Sequence, residues 1–78
     1  MPPNTSEELH YHNNSQQFFY IISGTATFEV GNKIYEVKEN EGIHIEPKVK
    51  HRIMNKTEEN LFFVVISEPK SHGDRVNL

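Results

Sequence analysis

The apolar residues of this chain fall into six short segments, at residues 18–22, 26–30, 34–37, 43–45, 53–54 and 61–66, and no segment is long enough to form a buried helix. Each is rich in aromatic or β-branched side chains, the types that fit a pleated, half-buried surface. Turn formers punctuate them: Ser23-Gly24, Gly31-Asn32, Asn40-Glu41-Gly42, Pro47, the polar residues 55–60, and Pro69. At Val30-Gly31-Asn32-Lys33, Gly and Asn both tolerate positive φ at the two central positions of a tight hairpin. No window has a sustained helical period, and no internal repeat is present. With an extended segment at residues 9–12, the pattern predicts an all-β barrel or sandwich of about seven strands.

The chain has 78 residues, enough for one domain with a thin core. Residues 9–68 are read as that single barrel. Residues 1–8 are read as an N-terminal tail or edge segment and residues 69–78 as a C-terminal tail, because both are polar and carry Pro, Ser, Asn or Gly. Two strands, FFYII at 18–22 and LFFVVI at 61–66, are apolar on both faces. One face can line the interior while the other needs cover, so a homodimer is expected.

The net charge is −3 with no cluster of Lys or Arg, which argues against nucleic acid or an anionic membrane surface as partner. The longest apolar run is far too short to cross a bilayer, so the default expectation is a soluble cytoplasmic protein. Cysteine is absent, which leaves imidazoles and carboxylates as the strong transition-metal ligands available.

Five histidines occur: His10, His12, His44, His51 and His72. On a strand His10 and His12 point to the same side, their Cβ atoms roughly 6.6 Å apart, so that both rings can lean toward one ion. Tyr11 then points away. By the same alternation Gln17 shares a face with Phe19 and Ile21, and His51 shares one with Ile53 and Asn55. His44 faces opposite to Ile43 and Ile45 and His72 lies in the tail, so neither joins the metal set. Phe19, Ile21, Phe28, Ile53 and Phe63 are expected to line or floor the cavity, as core residues rather than as substrate contacts.

Two stretches together resemble the cupin superfamily. "HYHNNSQQFFYIISG" is similar to its first motif, His-x-His, three or four residues, Glu, six residues and Gly, with Gln17 in the place of Glu and Gly24 closing it. "NEGIHIEPKVKHRIMN" resembles the second, with His51 followed by Asn55; Asn40 stands for the motif's first Gly, Glu46 for its Pro and Lys48 for its second Gly. The resemblance covers residues 9–66. It implies a small conical double-stranded β-helix (jelly-roll) barrel that often dimerises. It also implies one divalent transition metal (iron, manganese, zinc, nickel or copper) on His10, His12 and His51, with Gln17 at the fourth, usually carboxylate, position.

Three functional readings follow. The first is a metal-dependent oxygenase, isomerase or lyase acting on a small molecule. The second is a non-catalytic cupin that binds a metal or small metabolite as a sensor or store. The third is a metal-free sugar isomerase or epimerase using His as base and Tyr as acid, against which Tyr11, Tyr20 and Tyr35 all fall on positions that do not face the histidines. Asp74 is the only aspartate, and no Gly-x-Ser-x-Gly segment supports a serine triad.

Overall fold

The computed structural model describes residues 1–69 and 74–78, and among them there is no helix. Among the described residues nine strands are present: β1 (Thr5–Ser6), β2 (His10–His12), β3 (Gln16–Ser23), β4 (Thr25–Val30), β5 (Lys33–Lys38), β6 (Gly42–Ile45), β7 (His51–Asn55), β8 (Phe62–Glu68) and β9 (Arg75–Asn77). They form two antiparallel sheets. One runs β5-β4-β7-β2-β9 with β1 also on β7, and the other runs β6-β3-β8.

Period-two alternation decides which residues enter the space between the sheets. On β3, Gln17, Phe19 and Ile21 are buried while their neighbours are exposed. On β4, Ala26 and Phe28 point in. With Val37, Ile45, Ile53 and Leu61 these side chains make one core contributed by both sheets. The Phe19 ring meets Phe28 edge-on at 5.1 Å and Phe63 at 5.8 Å between centroids, spacings at which aromatic pairs attract beyond simple burial. Fully burying a side chain of this size contributes roughly 1.5–3 kcal/mol, so this short list of core residues carries most of the hydrophobic stabilisation.

Three local expectations are refined. The β4–β5 hairpin has its two-residue turn at Gly31-Asn32, with Val30 paired to Lys33, but only Gly31 takes positive φ (60°). That matches the hairpin type needing glycine at the first central position alone. The strand count exceeds seven because both chain ends join the larger sheet: Thr5 pairs with Asn55 and Ser6 with Met54, and β9 pairs along β2. These end segments are too short and polar to announce themselves as strands, and their order comes from pairing rather than from burial of their own apolar surface. Finally, Asn40 and Lys48 adopt φ of 65° and 66°. A lysine there bears a cost of about 1–2 kcal/mol that glycine would not, and its N–H in return donates to the His12 carbonyl at 2.6 Å.

Asn55 fastens the N-terminal segment. It is fully buried. Its Nδ2 donates to the carbonyls of Glu59 at 2.7 Å and of Met1 and Pro2 at 3.1 Å. Its Oδ1 accepts from the Thr57 N–H at 3.0 Å and the Thr57 hydroxyl at 2.7 Å. Removing that carboxamide strands several buried groups at once. Asn55→Ala should lower unfolding stability by about 2–4 kcal/mol, several times the net worth of one hydrogen bond; a urea midpoint within error of the parent would refute this account of the clamp.

Candidate metal centre

β2 lies between β7 and β9, and its first residue is opposite His51 on one side and Asn77 on the other. Residues directly opposite across an antiparallel pair share a face. His10, His12 and His51 therefore all point between the sheets, where Gln17 arrives from β3. The three imidazoles are 1–4% exposed and Gln17 8%. Ring centroids are 4.4 Å apart for His10 and His51, 5.2 Å for His10 and His12, and 5.7 Å for His12 and His51. One nitrogen from each ring can be chosen so that all lie within 4.8 Å of one another, a span that ligands at about 2.0–2.1 Å from a common ion can close with small rotations.

Hydrogen bonds set the tautomers. His10 Nδ1 donates to the Glu8 carbonyl at 2.7 Å, and His51 Nδ1 donates to the Val49 carbonyl at 2.8 Å. A carbonyl only accepts, so in each neutral ring the proton sits on Nδ1 and Nε2 keeps its lone pair. The lone pair of His51 Nε2 faces Gln17 Oε1 at 3.0 Å, while Gln17 Nε2 donates to the Ser67 hydroxyl at 3.0 Å. Two acceptors opposed at that distance need either the carboxamide turned over or a cation between them. Turning the amide satisfies His51 but does nothing for His12, both of whose buried ring nitrogens have no partner among the described residues. A cation meets the lone pairs of His51 Nε2, Gln17 Oε1 and one His12 nitrogen together. The donor set of three imidazoles and a carboxamide oxygen thus fits a divalent transition metal.

Burial pushes the pKa of His12 below the usual 6.5, and the neighbouring His10 pushes it further. Burial also lowers that of His51, against the opposing pull of the Val49 carbonyl. Both rings are consequently held neutral, the form that coordinates.

The cluster opens into a cavity of about 350 Å³ lined by Glu7, His10, His12, Gln17, Phe19, Phe63, Val65 and Arg75. Of the five residues expected to line it, Phe19 and Phe63 do so, while Ile21, Phe28 and Ile53 lie in the apolar core. Glu7 and Arg75 are the charged lining residues that sequence reasoning missed. Their segments carry no apolar pattern, and only the pairing of β9 with β2 would have brought Arg75 to this face. Asp74, just before β9, accepts from the backbone N–H groups of Asn14 and Ser15 at 2.9–3.3 Å. Those bonds, the one from Asn14 foremost, hold its carboxyl below the usual carboxylate range. It is a clamp on the β2–β3 connection.

His44 lies on the outer side of β6, hydrogen-bonded to Gln16 Oε1 at 2.7 Å and away from the cluster. His72 lies outside the described residues. No tyrosine lines the cavity: Tyr20 donates to Asn40 Oδ1 on the outer surface, and Tyr35 lines a separate groove between β5 and β6.

A family model described as "Cupin domain" matches residues 1–67. A curated relative, an uncharacterized protein of Methanocaldococcus jannaschii, is 33% identical over 75 residues, covering 95% of this chain and 60% of the relative. The chain therefore spans about three fifths of that relative's length. Among solved structures, an uncharacterized conserved protein with a double-stranded β-helix domain from Klebsiella pneumoniae superimposes with a TM-score of 0.87 at 25% identity, over 97% of this chain and 66% of the other. The formate complex of Lactobacillus farciminis oxalate decarboxylase superimposes with a TM-score of 0.85 at 25% identity, over all of this chain and 24% of the other.

The lowered histidine pKa values fix a sign for the pH dependence of stability. Between the folded values and 6.5 the unfolded chain takes up more protons than the folded one, so stability is complete above pH 6.5 and declines as pH falls below it. Metal-stripped protein should show a falling urea midpoint from pH 7 to pH 5, and His12→Asn should flatten that slope. An unchanged midpoint across this range would contradict the burial of neutral imidazoles.

Proposed function

The chain belongs to the cupin family, and from that premise we propose that it holds one divalent transition-metal ion on His10, His12 and His51 and uses it to bind or transform a small metabolite. The observation that carries the reading is the convergence of three buried imidazoles, two with Nε2 freed by a carbonyl on Nδ1 and the third with no other partner. When bound, the ion supplies Lewis acidity toward a substrate oxygen. The chain's own contribution is to fix the ring orientations of His10 and His51 through Glu8 and Val49, to keep His12 and His51 neutral by burial, and to wall the approach with Phe19, Phe63 and Val65.

Gln17 sits where its carboxamide oxygen can serve as a fourth donor. With that donor engaged, a four-coordinate ion is closed and the protein is a metal or metabolite binder, whereas a six-coordinate ion keeps positions for substrate. The metal-free isomerase or epimerase alternative lacks its acid, since no tyrosine lines the cavity.

Elemental analysis of protein purified without added metal should find about one divalent ion per chain. His51→Ala should abolish tight binding. Gln17→Glu adds the charge that the four donors lack and should tighten manganese more than zinc, because hard ions gain most from an oxyanion ligand. Should both substitutions leave metal content untouched, the metal reading falls; should Gln17→Glu alone be silent, Gln17 is no ligand.

The same proposal extends to assembly as a homodimer. The outward rows of the smaller sheet set Phe18 opposite Ile66 and Tyr20 opposite Val64, and these side chains are 37–63% exposed. With Ile22 and Phe62, also exposed, they make one continuous apolar face of the kind that marks a protein interface, and a second copy offers the same face about a two-fold axis. Light scattering should give about twice the 9.1 kDa chain mass at micromolar concentration, and Ile66→Glu should give the monomer; a parent chain that scatters as a monomer would overturn it.

A further inference from the structure

Resting on the metal reading above, we infer that Arg75 selects the ligand: the cavity takes a short carboxylate with a second oxygen donor, one end directed to the imidazole cluster and the carboxylate to the Arg75 guanidinium. β9 runs antiparallel to β2 with Arg75 opposite His12 and Asn77 opposite His10, so an Arg-x-Asn pair shares the face of the His-x-His pair. The guanidinium is oriented from two sides. Its Nε donates to Asn77 Oδ1 at 2.8 Å, and its Nη1 donates to Glu7 Oε2 at 3.4 Å. Glu7 is itself tethered by the Ile53 N–H at 3.4 Å. The Arg75 side chain remains 38% exposed, so this is a positioned cation at the cavity mouth rather than a buried structural pair.

Charge points to the ligand class. The inward donors His10, His12, His51 and Gln17 carry no negative charge, and the two charged residues of the lining, Glu7 and Arg75, offset each other. A bound divalent ion would keep its full charge inside a low-dielectric space, which an anionic ligand relieves. A planar guanidinium is the group that matches a carboxylate in two-point geometry. The cavity of about 350 Å³ is at the small end of ligand sites, and Phe19, Phe63 and Val65 offer an apolar wall to a short carbon body.

The test uses the cobalt(II)-loaded protein, with cobalt content measured first and ligand binding then followed by the visible spectrum. Malonate is the probe, with imidazole as a neutral ligand that needs only the metal. In Arg75→Ala, malonate affinity should fall about tenfold or more, the scale of a lost charged hydrogen bond, while imidazole affinity and cobalt content stay unchanged. Arg75→Lys should recover only part of the loss. Arg75→Gln, closer in length, serves as the second variant if the alanine chain unfolds. Equal malonate affinity in parent and variants overturns the inference, as does a parallel loss of imidazole, which would make the Arg75–Glu7 pair a tie between chain segments. A parent that takes up no cobalt defeats the metal reading itself, and this inference with it.

Discussion

Burying three imidazoles between the sheets of so small a barrel is the constraint on which the rest of the structure turns. A polar ring taken from water without a partner costs several kcal/mol, and a β-ladder consumes the backbone groups that would otherwise serve. The chain resolves this at strand starts. His10 and His51 are each the first residue of their strand, and each donates to the carbonyl two residues earlier, on Glu8 and Val49, which lie outside the strands. His12 closes its strand instead. Its neighbours are engaged on both sides, its own carbonyl accepts from Lys48, and its ring is left without a partner. The orphaned ring is thus a product of register, and it is the one that most requires an ion.

The register in turn depends on the chain ends. β2 is only three residues long, too short to hold its geometry alone, and it is sandwiched between β7 and β9. Asp74 locks the turn that follows β2, and the Lys48 N–H locks the carbonyl of its last residue. Asn55, at the far end of the strand that begins with His51, gathers Met1, Pro2, Thr57 and Glu59. Polar contacts around β2 and β7 therefore do what a larger apolar core does elsewhere, fixing where the histidine face stands.

Much of this was legible in the residues, and the parts that were not share a cause. The alternation of Gln17, Phe19 and Ile21 against Phe18, Tyr20 and Ile22 declares both the buried face and the exposed apolar face. His10 and His12 declare a common direction by spacing alone. Lys48 concealed its loop, because only its hydrogen bond to His12 explains why a lysine takes a conformation suited to glycine. Thr5–Ser6 and Arg75–Asn77 concealed their strands, since a segment of two or three residues has no period to read. With β9 unseen, Arg75 and Glu7 could not be placed beside the histidines. Non-local pairing is invisible to a local pattern, and here it supplies the charged half of the cavity.

The interior is divided along its length. Ile21, Ala26, Phe28, Val37 and Leu61 form the apolar end, the imidazoles and Gln17 the polar end, and Phe19 joins them by packing on Phe28 while lining the cavity. A chain this short cannot give interior positions to four polar side chains without recovering stability elsewhere. Cation binding is a direct route, because ligands that exist as a set only in the folded state convert binding free energy into folding free energy. The polar end costs stability when its lone pairs oppose one another and returns it when they share an ion. On the proposed metal reading, function and folding are coupled through the same buried side chains.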